Sequence, residues 1–122
     1  MIARAAGLAA LLVACAPASQ GYTTVHVEDL RAAQGQGVTI LDVRTPAEYA
    51  QGHVAGARLL PLQELPERVG EVPQDRPVYV ICHSGNRSAQ ASQILAKRGY
   101  RNIYNVDGGM NAWAGAGFPV VR

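Results

Sequence analysis

A cysteine and an arginine stand five positions apart in the segment VICHSGNRS, residues 80–88. An apolar run ends at Cys82, and the residues after it are His83, Ser84, Gly85, Asn86, Arg87 and Ser88. Because Gly85 permits the backbone angles of a tight ring, the amides of this segment can turn inward and form a nest for an anion. The nest, a helix that begins near Ser88 and the charge of Arg87 all favour a thiolate, which is a nucleophile.

The alternative for Cys82 is structural, because a single cysteine at the end of a strand often serves as a small core residue. The positions of Gly85, Arg87 and the helix start instead suit anion chemistry. We therefore predict that Cys82 is catalytic and that residues 83–88 bind the substrate. For His83, two interpretations stay open: it is a bystander at the mouth of the site, or it helps to bind anionic donors.

The elements that position Cys82 follow from the apolar pattern. Continuous apolar, β-branched runs predict buried strands at Val38–Val43, Pro77–Cys82 and Arg101–Val106. Helical patterns separate them, and one of these begins at Thr45 with a proline next and Glu48 three residues on, which is a capping box. Shorter patterns predict a strand and helix in residues 22–34, a short strand in 57–62 and a helix in 62–70 that Pro66 either breaks or starts.

Strands that alternate with helices predict an α/β protein, a three-layer sandwich with a mostly parallel sheet covered on both faces. In such sheets ligands bind beyond the carboxyl ends of the strands, where Cys82 is expected. The domain should span residues 22–122, which is enough chain for one packed core.

The N-terminal residues 1–14 are predicted to be a signal peptide, with one positive charge at Arg4 and then a short apolar run. The sequence Leu-Val-Ala-Cys at 12–15 resembles the lipobox of bacterial lipoproteins, which implies cleavage before Cys15 and lipidation of its thiol. Ordinary cleavage after Ala18 is the alternative. With cleavage before Cys15, residues 15–21 are predicted to be a tether.

Either form of processing exports the chain to the periplasm or cell envelope, and lipidation would anchor it to the membrane. The compartment is then oxidising, where paired cysteines usually form disulfides. Cys82 would have no partner in the chain, because Cys15 is either lipidated or removed. An unpaired thiol in an exported protein is itself a reason to expect reactivity.

Charge and composition exclude several classes of function. The net charge is +2, from ten arginines and one lysine against nine acidic residues, with no basic run. Nucleic-acid binding is therefore not expected. The two cysteines and three histidines lack metal-ligand spacing, so neither a metal nor a cofactor is expected.

Three segments together resemble the rhodanese family of sulfurtransferases: LDVRTPAEYAQGHVAGA at 41–57, CHSGNRS at 82–88 and VDGGMNAW at 106–113. The resemblance covers residues 22–122 and implies a five-stranded sheet. It further implies that Cys82 takes a sulfane sulfur from a donor such as thiosulfate and passes it, as a persulfide, to cyanide, a small thiol or a protein thiol.

Three other functions compete with this interpretation. Cysteine-dependent phosphatases also use a cysteine and an arginine, but with one residue more between them than the four found here. A non-enzymatic sulfur-carrier, docking or sensing domain is the second alternative, although such rhodanese domains often lack the cysteine. A redox role for Cys82 is the third, and it would have to proceed without a second cysteine in the domain.

The remaining motif residues are predicted to be structural. Asp42 should accept hydrogen bonds from nearby backbone, and Arg44 is expected to pair with Glu48 one turn on. His53 should be a hydrogen-bonded structural residue and Trp113 a core residue. The turn at 107–109 lies at the active edge of the sheet and either forms the pocket wall or serves the turn alone.

Overall fold

The computed structural model describes residues 20–122, so the predicted signal peptide and Cys15 lie outside the described residues. Five strands form one sheet in which every pairing is parallel and the order is β1-β5-β4-β2-β3. In chain order the strands are β1 (Thr23–Val25), β2 (Thr39–Asp42), β3 (Ala57–Leu59), β4 (Val78–Ile81) and β5 (Ile103–Val106). The predicted parallel sheet is confirmed, and β4, which ends just before Cys82, lies at its centre.

Helices connect the strands and cover both faces of the sheet, which confirms the three-layer prediction. They are α1 (Val27–Ala33), α2 (Pro46–Gln51), α3 (Leu65–Arg68), α4 (Asn86–Lys97) and α5 (Gly109–Gly115). Side chains of α3 and α4 pack on one face, and those of α1, α2 and α5 pack on the other. Among residues 20–122, no helix combines the length and the apolar character that crossing a membrane requires.

Local sequence signals explain most element boundaries. The capping box before α2 is present, with the Glu48 amide donating to Thr45 Oγ1 at 3.2 Å and the Thr45 amide donating to Glu48 Oε1 at 3.0 Å. The helix predicted at 62–70 is instead a 3₁₀ turn, the short helix α3 and a second 3₁₀ turn. Pro66 accounts for the break, because it has no N–H to donate to a preceding turn.

Trp113 is the largest fully buried side chain, which confirms the prediction that it belongs to the core. Its indole N–H donates to the Pro119 carbonyl at 2.9 Å, so the buried ring leaves no polar atom without a partner. The other face of the sheet buries Leu41, Val80 and Leu95 together with Cys82. The catalytic candidate therefore sits at the edge of a packed core, which fixes its position.

Candidate active site

The Cys82 side chain lies directly beyond β4, under a tight loop that ends at Gly85. The Gly85 amide donates to Cys82 Sγ at 3.1 Å. The Cys82 thiol donates to Ser88 Oγ at 3.4 Å, and the Ser88 hydroxyl donates to the Gly85 carbonyl at 3.2 Å. Gly85 has φ of +109°, a backbone conformation that a side chain would strain. The predicted inward turn of amides at this position is therefore present.

The pKa of the Cys82 thiol reflects two opposing influences. Burial, the largest of them, raises the pKa, because the side chain is 1 % exposed. Hydrogen bonds to the thiolate together outweigh burial and hold the pKa below its ordinary value. They come from the Ser88 hydroxyl, whose proton turns from the Gly85 carbonyl to the sulfur once the thiol is ionised, and from the amides of Ser88, Gly85 and Ser84. The surroundings thus favour the thiolate, the nucleophilic form.

The helix after the loop begins earlier than the sequence indicated. Helix α4 starts at Asn86 with Gly85 as its N-cap, and the Ala89 amide donates to the Gly85 carbonyl at 3.2 Å. Arg87 and Ser88 therefore stand in the first turn of the helix rather than in the loop. The helix can start at Asn86 because Gly85, with its positive φ, makes the sharp turn between the loop and the helix.

The side chain of Arg87 pairs with Glu48 of α2. Its two terminal nitrogens donate to the two carboxylate oxygens of Glu48, at 2.8 Å and 2.9 Å. This pairing holds the pKa of Glu48 well below its usual range, at about 2, against the effect of burial and with help from Thr45. The expected pairing of Glu48 with Arg44 is therefore wrong. Glu48 is a site residue that sequence reasoning missed, because its partner is 39 positions away.

Arg44 pairs instead with Asp42, the last residue of β2. Its Nε and one terminal nitrogen donate to the Asp42 carboxylate at 2.9 Å and 2.7 Å, and the same terminal nitrogen donates to the Gly52 carbonyl at 2.9 Å. The Asp42 carboxylate also accepts from the Arg44 amide at 3.1 Å, as predicted for this residue. Both side chains are buried, Arg44 at 5 % exposure and Asp42 at 0 %. The pair fixes the turn between β2 and α2.

The start of α5 holds the cysteine loop from the other side. The Met110 amide donates to the Cys82 carbonyl at 2.8 Å, and the Asn111 amide donates to the His83 carbonyl at 3.0 Å. Gly109 packs so closely here that a Cβ would collide with the carbonyls of Cys82 and His83. Sequence reasoning missed this contact, although the paired glycines after β5 were its signal.

Two clefts open at the carboxyl edge of the sheet. The first has a volume of about 210 Å³; its lining includes Val43, Pro61 and Leu62 together with Arg87. The second has a volume of about 290 Å³; its lining includes His83, Met110 and Asn111 together with Glu48. Arg44 lines both clefts, whereas the nearly buried Cys82 lines neither. Access to Sγ is therefore narrow.

The predicted loop residues differ in how near they come to the thiol. Ser88 is buried against Sγ and Gly85 contacts it through its amide. His83, Ser84 and Asn86 have exposed side chains, and His83 lies at the second cleft. Cys82 and the loop are thus brought together as one site.

His53 lies apart from this loop and has structural contacts, as predicted. Its ring stacks on Tyr49 with centroids 3.6 Å apart, and Nδ1 lies 2.9 Å from the Tyr49 carbonyl oxygen. Its backbone exchanges two 2.9 Å hydrogen bonds with Val121. These contacts attach the C-terminal segment to the end of α2.

Comparison with known proteins identifies similar chains. The family model for the rhodanese-like domain matches residues 26–116. A protein named sulfurtransferase from Allochromatium vinosum is 45 % identical over 91 residues, covering 75 % of this chain and 85 % of that protein. The thiosulfate sulfurtransferase GlpE of Pseudomonas entomophila is 32 % identical over 92 residues, covering 75 % and 84 %. The crystal structure of a rhodanese-related protein from Thermoplasma volcanium has a TM-score of 0.77 at 38 % identity, covering 82 % of this chain and 98 % of that one.

Proposed function

Because the chain belongs to the rhodanese-like domain family, we propose that it is a sulfurtransferase that carries sulfur as a persulfide on Cys82. The donor is thiosulfate or a compound with a similarly exposed sulfane sulfur. The acceptor is cyanide, a small thiol or a protein thiol. The names of the relatives from Allochromatium and Pseudomonas support this class of reaction.

The observation that carries the proposal is the set of hydrogen-bond donors around Cys82 Sγ. The Gly85 amide and the Ser88 hydroxyl meet at a buried sulfur and lower its pKa. Those same donors would stabilise the negative charge of a persulfide, whose outer sulfur is an anion near neutral pH. The narrow access to Sγ suits transfer of one sulfur atom.

The reaction has two displacement steps. The Cys82 thiolate attacks the outer sulfur of thiosulfate, the S–S bond of thiosulfate breaks, and its electron pair leaves with sulfite. Cyanide then attacks the outer sulfur of the persulfide, forming thiocyanate and returning the thiolate. No electron acceptor or proton donor is needed in either step, because charge and electron pairs balance.

The loop geometry argues against a phosphatase. Only His83 and Ser84 lie between Cys82 and the glycine whose amide reaches Sγ. Arg87 is paired with Glu48 through both terminal nitrogens, so it is not free to hold a phosphate opposite the sulfur. A larger ring with an unpaired arginine would be required for phosphoryl transfer.

Mass spectrometry of the protein after incubation with thiosulfate tests the proposal. We expect a gain of one sulfur atom in wild type, its loss on addition of cyanide with formation of thiocyanate, and neither in Cys82→Ser, which folds normally. A wild-type protein that folds but gains no sulfur would instead support the docking or sensing alternative. A protein that gains sulfur and releases it only to a partner's thiol would be a sulfur carrier.

We also propose that the chain is exported and anchored through a lipid on Cys15, on the sequence of residues 1–15 alone. The test is fractionation of cells that express the full chain. Wild type should be found with membranes, and Cys15→Ala should be released or left unprocessed. A soluble wild-type protein that begins at Ser19 would contradict lipidation and support ordinary cleavage.

A further inference from the structure

We propose that Glu48 is a specificity-determining residue that disfavours dianionic sulfur donors by occupying Arg87. This inference rests on the proposed function, because it concerns which donors reach Cys82. Arg87 precedes Ser88, whose Oγ contacts Sγ, and it lines the first cleft. Its guanidinium is near enough to Cys82 that the sulfur's charge adds to the effect of Glu48 in raising the pKa of Arg87. An anionic donor would be drawn to it if its guanidinium were free.

Both terminal nitrogens of the Arg87 guanidinium are hydrogen-bonded to Glu48. Each terminal nitrogen donates to a separate oxygen of Glu48, the planar arrangement in which arginine also binds oxyanions. The two side chains are 32 % and 31 % exposed, so solvent screens the pair only in part. Glu48 thus takes the place that a donor's oxygens would take.

Glu48 is held in this position from its own helix. The Thr45 amide and hydroxyl donate to Glu48 Oε1 at 3.0 Å and 3.1 Å. The carboxylate therefore binds two hydrogen-bond donors of the α2 N-terminus and two of Arg87. If a sulfur donor displaced Glu48 from Arg87, the Glu48 carboxylate would stay nearby, because Thr45 still holds it. Its negative charge repels a dianionic sulfur donor more than a monoanionic one.

The other charged residues of the clefts provide no free cation either. Arg44, which lines both clefts, is paired with Asp42. Glu64, which lines the first cleft, adds a negative charge and is paired with Arg68 at 2.7 Å. Every arginine that lines the two described clefts therefore already has a carboxylate partner.

The test compares two donors that differ in charge but transfer sulfur by the same step. Thiosulfate is a dianion that leaves as sulfite, and methanethiosulfonate is a monoanion of similar size that leaves as methanesulfinate. We expect Glu48→Gln to raise the ratio of kcat/KM for thiosulfate to that for methanethiosulfonate by about threefold or more. The increase should shrink as salt concentration rises, because screening weakens charge effects.

A second readout does not depend on turnover. Sulfate, an unreactive dianion, should slow alkylation of Cys82, and Glu48→Gln should lower the half-protecting sulfate concentration by about threefold or more. If sulfate protection improves but no protein takes up sulfur, the role of Glu48 stands and the proposed function fails. If sulfur transfer occurs and neither readout responds, the proposed function stands and the role of Glu48 is refuted.

Two further variants complete the design. Asp75→Asn makes the same change in net charge at an exposed turn before β4, on the opposite edge of the sheet, and should change neither readout. Glu48→Asp shortens the side chain and should give a smaller rise in the preference for thiosulfate. If Glu48→Gln does not fold, the result for Glu48→Asp tests the proposal in its place. An equal loss with both donors in either Glu48 variant would mean a purely structural role and overturn the proposal.

Discussion

At the scale of single residues, neutral hydrogen-bond donors, and not charged side chains, are the main groups that stabilise the Cys82 thiolate. The sequence suggested that Arg87 would supply much of the stabilisation of the thiolate. Its guanidinium is instead paired with Glu48, and the groups that lower the pKa of Cys82 against burial are the Ser88 hydroxyl and loop amides. The thiolate is therefore stabilised by donors that are fixed before any substrate arrives.

This arrangement predicts the effect of removing Ser88. A hydrogen bond to a charged group contributes about 1.5–3 kcal/mol, and each pKa unit corresponds to about 1.4 kcal/mol. Ser88→Ala should therefore raise the pKa of Cys82. The thiolate fraction would then fall at neutral pH, and alkylation of Cys82 should become slower there.

The measurement is the rate of Cys82 alkylation as a function of pH. Wild type should show a midpoint below about 8.5, the value of a free cysteine, and Ser88→Ala should show a higher one. Arg87→Ala should move the midpoint less than Ser88→Ala does. Ser84→Ala is the control, because it retains the backbone amide and should leave the midpoint in place. A larger shift in Arg87→Ala than in Ser88→Ala would contradict this account.

At the scale of elements, the loop depends on how closely α5 approaches it. The first amides of α5 bind the carbonyls of Cys82 and His83, and only a residue without a side chain fits at Gly109. Gly109 also has φ of +52°, which favours glycine. The turn after β5 therefore positions the loop that carries Cys82, whereas residues 107–109 line neither of the two described clefts.

Gly109→Ala should displace the loop. We expect sulfur transfer to fall by at least about tenfold and the protein to be destabilised by about 1–3 kcal/mol, from backbone strain and overpacking. Gly115→Ala, in the same helix, is the control: no atom lies within 4 Å of its added Cβ, and it should be neutral or slightly stabilising. Kinetics and thermal unfolding of both variants measure the effects, and equal behaviour would show that the contact at Gly109 does not matter.

At the scale of the whole molecule, features that depend on neighbouring residues could be predicted from the sequence better than contacts between residues far apart in the chain. The parallel sheet, the capping box at Thr45 and the position of Cys82 could be predicted, because each depends on a short pattern of residues. The partners of Arg44 and Arg87 could not be predicted from the sequence. Glu48 is one helical turn from Arg44 in the chain, yet it pairs with Arg87, which is 39 positions away. The folded chain decides which arginine receives it, because the first turns of α2 and α4 come close enough at the carboxyl edge of the sheet for Arg87 to reach Glu48.

The buried pair of Asp42 and Arg44 makes a prediction about the stability of the entire domain. Arg44→Ala would leave the Asp42 carboxylate at 0 % exposure without its charged partner, and would also release the Gly52 carbonyl. Removing one member of a buried pair costs about 3–5 kcal/mol. Arg87→Ala breaks a pair that is about one third exposed and should cost about 1 kcal/mol or less.

Thermal unfolding should therefore separate the two arginines. For a domain of this size each kcal/mol lowers Tm by about 4–8 °C, so Arg44→Ala should lower Tm by more than about 10 °C and Arg87→Ala by much less. Well below its Tm, Arg44→Ala should keep an intact thiolate loop, because the Gly85 and Ser88 contacts with Cys82 do not involve Arg44. Similar Tm values for the two variants would show that the buried pair does not stabilise the domain as its burial indicates.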